Sequence, residues 1–147
     1  MNKISPDKIT NDFKANKILI YVFCLITLIT IARSLIHIFA IDGGAQSIAG
    51  FPLETYSPEA SKVVVLIFSV WGLSQLVMGI FYLIVLLKYK SLIPLMYLFL
   101  FLEYTGRFLL GIYKSAESTH VVPGSIANYL MIPLSLVLFI LCLRHKS

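Results

Sequence analysis

The sequence predicts an all-α fold: a four-helix transmembrane bundle of up-down topology with both termini in the cytoplasm. Three observations predict it. Hydrophobic residues make up 59% of the 147 and mean hydropathy is +0.89, against about 45–50% apolar residues in a soluble domain. Four apolar runs are each long enough to cross about 30 Å of hydrocarbon. The basic residues gather on one side of those runs. A soluble chain of this balance would expose large apolar patches and aggregate, so the expected solvent is a lipid bilayer.

The spans are placed near 18–40, 63–87, 92–113 and 125–143, within one membrane domain. None shows the alternation of a barrel strand, and a helix satisfies its own backbone in lipid. The first run is too long for a signal-peptide core, so it is expected to stay as an anchor. Lys88-Tyr89-Lys90-Ser91 leaves room only for a tight antiparallel turn between the second and third helices. Before the first span, Ser5-Pro6-Asp7 reads as a helix start, with Ile9 and Phe13 on one face. Residues 1–17 are thus open between a short interfacial helix and an irregular basic tail.

Charge placement sets the orientation. Lys3, Lys8, Lys14, Lys17, Lys88, Lys90, Arg144 and Lys146 fall on the side of both termini, and Lys62 and Lys114 lie opposite. The positive-inside rule puts the first group in the cytoplasm. The net charge of +5 is therefore a topology signal and not a nucleic-acid stripe. On the opposite side, residues 41–61 hold Ile48, Phe51, Leu53 and Tyr56 among many turn formers. That mixture reads as a lid over the mouth of the bundle.

The polar residues inside the spans carry whatever chemistry there is. At 100° per residue, Thr27, Thr30, Arg33, Ser34 and His37 share about a third of the first helix. In the third, Glu103 and Arg107 are four apart and so neighbours on one face, and Lys114 continues that line past Gly111. Arg33 and Arg107 each lie fifteen residues into an outward-running span, at a matched depth of about 22 Å. Gln75 and Trp71 of the second helix and Asn128 and Tyr129 of the fourth fall at a similar level. All four helices are thus expected to present polar groups to one region. Pro133 has no N–H to offer the Tyr129 carbonyl, which leaves that oxygen open to Arg33 or Arg107.

Insertion scales put each Arg or Asp at a helix centre at roughly 2.5–3.5 kcal/mol. Glu103 balances one arginine; the second has Asp42, His37, the Tyr129 carbonyl or a bound anion as candidate partners. The expected ligand-binding set is Arg33, His37, Gln75, Glu103, Arg107, Asn128 and Tyr129, with Asp42, Trp71 and Tyr104 at the access to the cavity. Glu103 and Arg107 also fit a structural ion pair that sets helix register, or a proton-coupled transport step. No HExxH, GxSxG, paired acidic cluster or Gly-rich phosphate loop occurs, so the reading leans away from an enzyme, and neither metal nor cofactor is expected. Cys24 and Cys142 read as small buried hydrophobes, with a disulfide between them open.

Four short helices suggest comparison with the small multidrug resistance transporters, but those carry an essential acid in the first helix, where this chain has Arg33. The vitamin K epoxide reductase type of bundle needs a CxxC, which is absent. Through Asp42-Gly43, Glu103-Tyr104-Thr105-Gly106-Arg107 and Pro123-Gly124-Ser125-Ile126-Ala127-Asn128-Tyr129, the chain resembles small bacterial four-helix membrane proteins of unknown function. That resemblance implies the fold and a bacterial inner membrane, and no activity. The expectation is an outward-opening polar cavity for a small anionic or polar-headed ligand, in a transporter-like or lipid-binding role. The alternatives are an accessory subunit that meets a membrane protein partner, and a membrane enzyme acting on a lipid or quinone.

Overall fold

The structure, a computed structural model, describes residues 6, 8–114 and 123–144. It holds four helices: α1 (Lys17–Phe39), α2 (Pro58–Lys88), α3 (Ile93–Tyr113) and α4 (Pro123–Arg144). All four are long and apolar enough to cross a membrane. Their outward faces carry exposed aliphatic side chains such as Leu28, Leu66, Val77, Leu109 and Val137.

Each boundary has a local cause. Asn16 caps α1, its side-chain oxygen accepting from the Ile18 N–H at 3.0 Å. Ser57 caps α2 through the Ala60 N–H at 3.2 Å, and Pro58 occupies the first helical turn. This cap starts α2 five residues before the expected 63, so the preceding loop is correspondingly shorter. The turn into α3 is a single 3₁₀ turn at Lys90–Leu92.

The segment before α1 takes the irregular alternative over its described part. Residues 1–5 and 7 lie outside the described residues, and residues 8–16 form no helix. Their backbone is used across the chain instead. The Thr10 N–H donates to Ser91 Oγ at 3.0 Å, the Ser91 N–H to the Thr10 carbonyl at 3.2 Å, and Lys90 Nζ to Asn11 at 3.0 Å. Phe13 packs on the core while Ile9 is exposed, so the two do not share a buried face.

The backbones pair as α1 with α2 and α3 with α4. The α1–α2 contact is close because α2 is bare where they meet. A Cβ on Gly72 would lie 2.5 Å from His37 Cβ and 3.1 Å from the Ser34 carbonyl, and one on Gly79 would lie 2.8 Å from Ile31 Cγ1. Thr27 and Ser34 are buried, and each spends its hydroxyl on its own helix, on the carbonyls of Phe23 at 2.8 Å and Thr30 at 2.5 Å. They act as small packing residues.

The two pairs are joined at the basic end, where Lys17, Lys88, Lys90 and Arg144 lie. Phe23 packs edge-on against Tyr82 and Tyr97, with Ile93, Met96, Leu100, Leu138 and Cys142 around them. Cys24 and Cys142 are both free thiols, which closes the disulfide alternative. Tyr97 Oη donates to the Leu19 carbonyl at 2.6 Å, a buried link from α3 to α1. Tyr97→Phe is expected to lower stability by about 1 kcal/mol, measured by unfolding in mixed detergent, because the ring stays packed and only this bond is lost.

Candidate functional site

Beyond that core, α1, α2 and α3 enclose a cavity of ≈ 40 Å³. Arg33 reaches it from α1, Gln75 and Tyr82 from α2, and Glu103, Tyr104 and Arg107 from α3. A buried water needs roughly 10–15 Å³ on this measure, so the space suits a few waters or one small ion.

Gln75 links the three helices. With its amide oxygen toward the guanidinium groups, it accepts from Arg33 Nη2 at 2.9 Å and Arg107 Nη2 at 2.7 Å. The opposite orientation would set its NH₂ against donors alone. Arg107 also donates to Glu103 on the next turn of its own helix. Both guanidinium groups lie over the Trp71 indole, Arg33 at 5.4 Å and Arg107 at 4.8 Å, and Arg107 lies 5.2 Å from the Tyr104 ring. The second arginine, Arg33, is thus held by Gln75, by a side-chain hydrogen bond with Tyr104 and by the face of Trp71, none of which was among its expected partners.

The lining carries two cations and one carboxylate, a formal charge of +1. Tyr82, 1% exposed, has a buried hydroxyl with no hydrogen-bond partner among the described residues. Sequence reasoning missed Tyr82. A signal was present, since Gly72, Gln75, Gly79 and Tyr82 repeat at three, four and three residues and fall on one face of α2.

Other expected site residues lie elsewhere. His37 is 1% exposed and does not line the cavity. Its Nδ1 lies 2.7 Å from the Gly43 carbonyl, which only accepts, so Nδ1 carries the proton and the buried Nε2 is left without a partner among the described residues. The ring packs 4.9 Å from Trp71. Close approach of the loop makes this contact. Gly44 has φ +74°, and a Cβ there would lie 2.7 Å from His37 Nδ1.

Asp42 is occupied within its own turn, accepting from the Gly44 N–H at 2.9 Å and the Ser47 N–H at 2.7 Å. Burial works against its charge, but these donors outweigh it and hold the carboxyl below the usual carboxylate value. With Phe51 seated on Phe68, loop 41–61 is folded down on the α1–α2 end. It contributes no residue to the cavity lining.

Asn128 is half-buried and Tyr129 is 62% exposed against Phe108, and neither lines the cavity. Three helices, not four, therefore supply its lining among the described residues. Tyr129 packs on Phe108, next to Arg107 in sequence, but depth along a helix carries no information about direction around the bundle. The guanidinium groups meet Gln75 and Glu103, where the Tyr129 carbonyl had been expected.

No family model, curated protein or solved structure matches the chain.

Proposed function

We propose that this chain is a multi-pass protein of a bacterial inner membrane, with both termini cytoplasmic, whose cavity binds a small anion. One observation carries the reading: two guanidinium groups line the cavity with a single carboxylate, which is bonded to Arg107, beside a Tyr82 hydroxyl without a partner among the described residues, in a space of ≈ 40 Å³. An anion supplies the missing charge and the missing acceptor together. Its size class follows from the volume.

Access from the loop end fits the exposure pattern. Leu110, Gly111 and Lys114 continue the Arg107 face of α3 past the site and are all exposed. Leu100, Tyr97 and Phe23 close the basic end with 2% exposure or less. Lys114 at the open end would draw anions inward.

Thermal unfolding of the purified protein in detergent, with gluconate replaced by nitrate, chloride, formate or decanoate, tests this. A saturating small anion at a hundred times its Kd adds about 2.7 kcal/mol, read as a Tm rise of about 5–10 °C. Arg33→Gln is expected to stay folded and lose the rise. Equal stabilisation of both proteins, or of neither, refutes the proposal, and a response to decanoate alone would replace the free anion by a lipid-like amphiphile.

One observation favours the accessory-subunit reading as a second choice. The Glu103 side chain is 38% exposed halfway along α3, a site where a partner helix could seat. Native mass spectrometry of gently extracted protein tests it, since that reading requires a stoichiometric partner.

A further inference from the structure

The lining of the cavity holds one carboxylate, and that carboxylate already sits on Arg107. Arg33 and Arg107 both point an NH₂ group at the same Gln75 oxygen, so a small anion entering beside it meets both arginines. It then shares ≈ 40 Å³ with the Glu103 carboxylate. Two negative charges sharing so small a space, in the low dielectric of the membrane interior in which this reading puts them, repel. A proton on Glu103 removes the repulsion and frees Arg107 for the anion, while Gln75 keeps the two arginines together.

Resting on the anion-binding reading above, we propose that the site takes a monoanion and a proton together, with Glu103 as the proton acceptor. The anion is held by Arg33, Arg107 and the Tyr82 hydroxyl. The proton comes from water and bonds to a Glu103 oxygen, whose bond to Arg107 is given up. The bound pair adds no net charge to the bundle. Such a site favours anion uptake where protons are plentiful and release where they are scarce, which is the requirement for a proton-coupled anion carrier.

The groups facing Glu103 are Arg33 of α1, Gln75 and Tyr82 of α2, and Tyr104 and Arg107 of α3; α4 adds none to the cavity among the described residues. His37 is the other group to consider. Its ring lies 4.9 Å from the Trp71 indole that both arginines also face, and a proton on its Nε2 would add a third cation near them.

Nitrate is the probe, because it stays ionised at every working pH and any pH dependence belongs to the protein. Nitrate binding is measured by calorimetry from pH 5 to 8, and proton uptake by an indicator dye in weakly buffered solution. The wild-type dissociation constant is expected to fall by up to about tenfold per unit decrease in pH, with close to one proton taken up per nitrate where the slope is steepest. Glu103→Gln is expected to bind nitrate with a flat profile and no proton uptake, and His37→Gln to keep the wild-type slope. A flat wild-type profile without proton uptake overturns the coupling and leaves anion binding standing. So does a slope abolished by His37→Gln. Absence of nitrate binding at every pH overturns both.

Discussion

Gln75→Leu is expected to destabilise the protein by about 1.5–3 kcal/mol, the range for hydrogen bonds made to a charged group. The reason lies in what it leaves behind. Gln75 is the acceptor shared by Arg33 at 2.9 Å and Arg107 at 2.7 Å. Arg107 keeps Glu103, whereas Arg33 is left with Tyr104 and the face of Trp71 and no acceptor from α2. Leucine is nearly the same size, so no cavity term confuses the measurement. Gln75→Glu makes the informative contrast. It keeps an oxygen in place and brings the lining to zero net charge, so it should remain folded and lose stabilisation by nitrate. Reversible unfolding in mixed detergent micelles reads both, and a Gln75→Leu protein within about 1 kcal/mol of wild type would show that the arginines are held some other way.

Gly72→Ala is expected to cost about 2 kcal/mol, although alanine is the better helix former by about 1 kcal/mol. Its Cβ would lie 2.5 Å from His37 Cβ, 3.1 Å from the Ser34 carbonyl and 3.3 Å from the His37 backbone carbon. None of these atoms is the free end of a flexible side chain, so relief requires α1 to move away from α2. That movement would carry His37 off Trp71 and shift Arg33 relative to Gln75, disturbing the site from outside it. Gly79→Ala is expected to be milder, because its nearest neighbour is Ile31 Cγ1 at 2.8 Å, which can turn aside. Gly106 has nothing within 4 Å of an added Cβ, so Gly106→Ala should stabilise α3 by up to about 1 kcal/mol. The opposite signs of Gly72→Ala and Gly106→Ala, in one unfolding assay, test the close approach of α1 and α2.

Most of the fold is legible in the sequence because hydropathy over some twenty residues is a sum, insensitive to any one neighbour. The α1 and α3 boundaries agree within one residue of expectation. The α2 start does not, since Ser57-Pro58 extends the helix past the apolar run and hydropathy does not register a cap. Within the site, Glu103 with Arg107 is legible from four-residue spacing alone, and Arg33 joins them by depth. Thr27 and Ser34 share the polar stripe of α1 yet pack against α2 with their hydroxyls turned back. A helical wheel sorts residues by direction and does not say which neighbour occupies that direction.

The chemistry of isolated segments therefore determined four helices of membrane-crossing length, their order, the tight α2–α3 turn, and a surplus of positive charge at one depth. The partners of that charge were decided only by the tertiary structure. Gln75 and Trp71 reach the arginines because Gly72 and Gly79 let α1 settle closely on α2, and the cavity forms where the α3–α4 pair meets them through side chains instead of backbone. Asp42 and His37, near Arg33 in sequence, are drawn off by hydrogen bonds to the loop. Such contacts depend on the rotation of each helix about its axis and on the distance between axes, neither of which a single segment encodes.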